Sequence, residues 1–154
     1  MEYLVVKWLH ILSSTFLFGT GIGSAWYLLF AVCSRNVQAI ATVARIVVIA
    51  DWTFTATTMV AQPLTGWYLA RLAGFPLHSG WLLWSTVLFA LAFACWAPVV
   101  WLQMRMRDLA AVAAHGQLPL PAAFWRYFRF WVVLGIPAFF AFVAVFFLMV
   151  VKPF

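Results

Sequence analysis

The residues of this sequence that could do chemistry are few, and one imidazole leads them. His10 lies in Lys7-Trp8-Leu9-His10-Ile11-Leu12-Ser13-Ser14, at the front of the first long apolar run. An ionisable side chain inside hydrocarbon is costly, so its default reading is functional. A neutral imidazole in that setting suits a metal ligand once a neighbour fixes its other nitrogen. Ser13, Ser14 and Gln62 are the expected neighbours. His78, in a turn-rich stretch, and Met59, on the second apolar run, are the other candidate ligands.

The second group is a stripe. Asp51, Thr55, Thr58, Gln62 and Thr65 recur at spacings of four, three, four and three. On a helix these fall on one face, and that face does not suit lipid. Asp51 has two readings: a carboxylate paired with Arg45, Arg105 or Arg129 at the membrane edge, or a proton-handling group. A carboxylate left unpaired at depth would neutralise rather than stay charged.

These residues need membrane-spanning elements to position them. The chain has 154 residues, 68% of them hydrophobic and 8% charged, where a soluble domain carries about 25% charged residues. Four apolar runs, about 4–32, 46–70, 81–102 and 128–151, each exceed the roughly 20 residues that cross the hydrocarbon core. The predicted fold is all-α: one domain over 1–154, an antiparallel bundle of four transmembrane helices joined by short connections. The amino-terminal run reads as a retained span rather than a cleaved signal. The net charge of +6 reads as membrane-edge anchors rather than a nucleic-acid surface. Lipid is the expected surrounding.

Arg35, Arg45, Arg105, Arg107, Arg126 and Arg129 gather on one side, against Lys7, Arg71 and Lys152 on the other. The positive-inside rule then puts both termini, His10 and His78 on the periplasmic side of a bacterial inner membrane. Arg105, Arg107 and Arg129 form a cytoplasmic basic cap. Antiparallel counting puts Gln62 at the depth of His10, and Asp51 near Gly21 and Ser24. Gly19 and Gly23 make a small-xxx-small pair for close helix approach, within the chain or between chains of a homo-oligomer. Cys33 and Cys95 read as small core hydrophobes. The tryptophans around the third run, Trp96 among them, read as an interfacial belt, and Pro98 as a kink. That helix can continue to His115, a surface residue, before Gly116 stops it. The last helix reads as structural.

Several stretches carry a resemblance: Lys7-Trp8-Leu9-His10, Ala50-Asp51-Trp52, Gln62-Pro63-Leu64-Thr65-Gly66, Val100-Trp101-Leu102-Gln103-Met104-Arg105-Met106-Arg107 and Leu148-Met149-Val150-Val151-Lys152-Pro153. With these, the chain is identified as a member of a bacterial family of predicted integral membrane proteins, domain of unknown function 2269. More distantly it resembles the HemJ-type protoporphyrinogen oxidases, which bind haem b, and the CopD-type copper-resistance membrane proteins. The HemJ-type likeness lies in His10, in Pro63 and Gly66, and in Gly80-Trp81-Leu82. Ser85 stands where those oxidases carry a lysine, so the resemblance implies a haem site rather than porphyrinogen oxidation.

Three functions follow as expectations. The first is a haem b-binding membrane protein with a redox or electron-transfer role. His10 is its iron ligand, with His78 or Met59 as a candidate sixth ligand, and Ser14, Gln62, Arg71 and Ser85 line the cofactor. A membrane redox partner or quinone would complete it. The second is a non-catalytic bundle that binds a lipid, quinone or partner subunit, or moves a small solute. The third is copper handling through His10, His78 and Met59.

Overall fold

The computed structural model describes residues 1–153. Its helices are α1 (Glu2–Cys33), α2 (Val37–Ala50), α3 (Ala56–Leu72), α4 (Gly80–His115) and α5 (Ala122–Val151). A π-helical turn, Asp51–Thr55, joins α2 to α3 without a break. The two therefore form one 36-residue span, Val37–Leu72, and the chain has four spans long and apolar enough to cross a membrane. The expected all-helical four-span fold is the fold observed.

The boundaries differ from the sequence expectation in one instructive place. The first connection is only Ser34–Asn36, and Arg45 lies within α2 rather than in a loop. Asn36 sets this start: its side-chain oxygen accepts from the backbone N–H groups of Gln38 and Ala39 at 3.0 and 3.1 Å, a normal N-cap. Gln38 then donates from its side chain to the Ala114 carbonyl at 2.8 Å, tying the start of α2 to the end of α4. At the other end of the molecule Gly74, at φ +71°, closes α3. The Phe75 N–H reaches back to the Ala70 carbonyl at 2.9 Å, a bond that needs a left-handed residue between. α4 ends at His115 as expected, although the left-handed residue is Gln117 rather than Gly116. α4 runs unbroken through Pro98.

Packing is uneven along the bundle. The main core gathers Leu28, Ile40, Val47, Met106, Phe124 and Trp131 at the arginine-rich end, where α1, α2, α4 and α5 all meet. At the opposite end Ala70, Trp81 and Leu82 pack with Met149, and Lys152 stands 5.0 Å over the Phe75 ring. Both termini, the 73–79 loop and His10 share that end. Between the two ends α1 and α5 meet mainly through Phe18, which stacks on Phe139 and tilts against Phe146. Below that stack, toward the arginine-rich end, they part.

Gly19 and Gly23 have nothing within 4 Å of the Cβ each lacks. The expected close approach within the chain does not occur there. The reason is rotational: the inward face of α1 is Leu17, Ser24 and Leu28. Cys33 is exposed and only Cys95 is buried, because Cys33 is the last residue of α1, beyond the core.

Candidate functional site

His10 sits where α1 crosses α3, in a seat built by three residues of the second span. Its Nδ1 lies 2.7 Å from Thr65 Oγ1. That hydroxyl has one proton, and two carbonyls of its own helix that can only accept, Ala61 at 2.7 Å and Gln62 at 3.3 Å, compete for it, which assigns the proton to the helix rather than to the ring. Thr65 therefore accepts from Nδ1–H, and Nε2 keeps the free lone pair. Gly66 supplies the space: a Cβ there would stand 3.2 Å from His10 Cε1. Gln62 donates to the His10 carbonyl at 2.9 Å and also to Ser13 Oγ. Gln62 thus lies at the depth expected, while Thr65 rather than Ser14 or Gln62 orients the ring. Ser14 donates to the Ile11 carbonyl of its own helix at 2.7 Å.

One turn and more below, the same stripe meets a cavity. Asp51 is 3% exposed, and one of its oxygens accepts from Thr55 Oγ1 at 2.9 Å. No arginine reaches it. The only ion pair among the described residues joins Arg107 to Asp108, at 2.7 Å, so the expected partnership with Arg45, Arg105 or Arg129 is corrected. Arg105 lies over Trp101 at 5.3 Å, while Arg45 and Arg129 are exposed. Long arginine side chains reach outward to water in preference to inward. The Gln103 amide instead meets the Asp51 carboxyl, from α4.

Asp51, Thr55, Met59 and Gln103 line a cavity of about 360 Å³, bounded by α1, the second span, α4 and α5. Ligand pockets start at about 300 Å³. Gly21 and Ser24 share the wall with Asp51, as antiparallel counting predicted. Most of the lining is apolar, with Phe18, Phe139 and Phe142 among it, and its rim between α1 and α5 carries Ile22, Trp26, Ile136 and Phe140, all exposed. In a bilayer that rim faces lipid. Four buried side-chain polar atoms among the described residues have no hydrogen-bond partner, and three of them belong to residues of this cavity: Gln103 Oε1, Trp96 Nε1 and Trp131 Nε1.

Those three residues are the ones sequence reading missed. Gln103 carried a signal, for it falls on the buried face of α4 with Ala92, Val100, Met106 and Ala110. Trp96 and Trp131 did not, since a belt tryptophan and a cavity tryptophan look alike in sequence. α5, read as merely structural, supplies a whole wall.

The other expected residues are not brought together. His78 is exposed in the 73–79 loop, and Met59 faces the cavity, which His10 does not line. Ser85 is buried but donates to the Trp81 carbonyl at 2.7 Å. Arg71 lies over Trp67 at 4.8 Å. No group of three or more His, Cys, Asp or Glu side chains able to hold a metal ion occurs among the described residues. Of the expected haem ligands and lining residues, then, the described residues bring Gln62 beside the oriented His10 imidazole, while His78, Met59, Arg71 and Ser85 lie apart from it.

Neither the curated proteins nor the solved structures include a match to this chain. The family model described as "predicted integral membrane protein (DUF2269)" matches residues 4–153. Four apolar spans, a lipid-facing surface and that match agree: the chain is a multi-pass integral membrane protein and belongs to the DUF2269 family.

Proposed function

We propose that this protein binds a small, largely apolar molecule that reaches the intramembrane cavity from the bilayer, between α1 and α5, either to hold it or to pass it on. One observation carries the reading. Three buried polar atoms without partners belong to side chains that line the cavity, although buried polar groups are nearly always bonded. An incoming molecule with its own donors and acceptors would satisfy them.

Filling the cavity tests this. Gly21 and Gly135 both line it and have open space where a Cβ would stand, so leucine at either position has room to start and would take up cavity volume. Protein in lipid nanodiscs is expected to bind the neutral two-ring probe 1-naphthalenemethanol in equilibrium dialysis. Gly21→Leu together with Gly135→Leu should weaken that binding at least about tenfold, equivalent to roughly 1.4 kcal/mol. Equal binding by the filled variant would refute the cavity as the site.

A second reading, haem b ligated by His10, is favoured by one feature. Thr65 holds Nδ1–H and leaves Nε2 free, the arrangement of an iron-ligating imidazole. Protein purified from haem-replete cells should then show a Soret band that His10→Ala abolishes. A colourless wild-type preparation would remove this reading and leave the first untouched.

A further inference from the structure

We infer that the cavity's occupant is a lipophilic ammonium ion: a compact apolar molecule bearing a protonated amine, whose N–H groups are taken by the Asp51 carboxylate and by Gln103 Oε1. This rests on the cavity-binding reading above and adds the charge and hydrogen-bonding class of the ligand.

The first argument is charge. Asp51 is the one ionisable side chain among the lining residues. A carboxylate held in hydrocarbon is costly unless a cation meets it, and the protein supplies none: Arg105 is stacked on Trp101, and Arg45 and Arg129 point outward to the surface. A cationic ligand would complete an ion pair that the fold leaves half made.

The second argument is hydrogen-bond polarity. The Asp51 carboxylate accepts from Thr55 and meets the Gln103 amide, which leaves acceptor sites on its oxygens, since a carboxylate offers about four. Gln103, 4% exposed, adds an unpartnered acceptor, Oε1, on a residue of the same lining. Spare acceptors call for a donor, and a primary ammonium has three N–H groups. A quinone or ester carbonyl at the same spot would set acceptor against acceptor. The two free indole N–H groups, of Trp96 and Trp131, suit an oxygen elsewhere on the same molecule.

The third is the wall. Phe18, Trp26, Trp96, Trp131, Phe139 and Phe142 all line the cavity. Aromatic faces attract cations, more so where water is excluded, and they equally accommodate an apolar body. Nothing else in the bundle combines these three properties. The His10 seat has no acid, and the arginine-rich end has no enclosed acceptor.

The test compares two isosteric probes, 1-naphthylmethylamine, charged at pH 7, and 1-naphthalenemethanol, neutral, by equilibrium dialysis against protein in nanodiscs of zwitterionic lipid, with empty nanodiscs subtracted. The wild type should bind the amine at least about tenfold more tightly than the alcohol. Asp51→Asn, which keeps the shape and an acceptor for Thr55, should bring that ratio close to one, and Gln103→Leu should lower it severalfold. Because the wild-type ratio needs no variant, misfolding of either variant does not void the result. Equal wild-type binding of the two probes, or a ratio unmoved by folded Asp51→Asn, overturns the ammonium assignment while leaving the cavity as a binding site. Binding of neither probe overturns both readings. A short-chain benzoquinone that binds where the amine does not would put a quinone there instead and also overturn the assignment.

Discussion

Gly66→Val is expected to lower the stability of the folded bundle by about 1–3 kcal/mol, the range seen when a side chain is forced into a filled contact. The geometry leaves little choice. A Cβ at position 66 already stands 3.2 Å from His10 Cε1, and valine adds two methyl groups to it. The imidazole cannot retreat without giving up Thr65, and α1 cannot retreat without giving up the bonds from Gln62 to the His10 carbonyl and Ser13. Denaturation by SDS from mixed micelles reads the loss directly. Gly19→Val is the matched control, since nothing lies within 4 Å of the Cβ it would gain. His10→Ala should recover much of the Gly66→Val loss, because it removes the group being struck, and the coupling in that double-mutant cycle assigns the effect to this contact. A Gly66→Val protein as stable as the Gly19→Val protein would mean that α1 and α3 do not meet this way.

Phe124→Ala should cost more, about 3–5 kcal/mol. Phe124 is fully enclosed, at 0% exposure, in the core that joins Leu28, Ile40 and Met106. Its ring lies parallel to that of Phe128, with centroids 6.5 Å apart. Lipid tails are as apolar as the core, so transfer out of water is not what is lost; packing against side chains on three other helices is. The same reasoning predicts that Phe147→Ala, at a position 60% exposed, changes stability little, because lipid simply refills the space. The difference between the two variants in the same unfolding assay is the measurement. Similar losses from both would show that the arginine-rich end is not the structural core.

The fold was legible where the argument used only length and rise. Apolar runs long enough to span gave four spans, and uniform rise along antiparallel helices set Gln62 beside His10 and Asp51 beside Ser24. Boundaries were harder, because Gln38 and Arg45 looked like loop residues although a helix can extend past the hydrocarbon with polar residues on its outer face. Half of the His10 seat was visible: Gln62 and Ser13 were expected, while the space at Gly66 and Thr65's hold on the ring were not, since spacing along one helix does not say which hydroxyl faces which nitrogen. The arginine pairing of Asp51 was the expectation furthest from the fold. Counting helices puts Arg45, Arg105 and Arg129 at its end of the bundle, but the direction in which each reaches depends on where water is, and that is decided by the assembled bundle. Gln103, Trp96 and Trp131 became a site only because α1 and α5 part between two packed ends.

The π turn at Asp51–Thr55 makes the second span adjustable in length at one place. A π turn is an α-helix with one residue too many, absorbed locally as a bulge. The second span is gripped at both ends, by Gln38 on the Ala114 carbonyl below and by Gln62, Thr65 and Gly66 against α1 above. Deleting one codon elsewhere along it would turn one grip about 100° away from its partner, as 3.6 residues per turn requires. Deleting one codon inside 51–55 would let the turn close to ordinary α-helix with both grips still in phase. The acid of the cavity therefore stands on the one turn whose length the architecture does not dictate, where insertions and deletions can alter the site while sparing the scaffold.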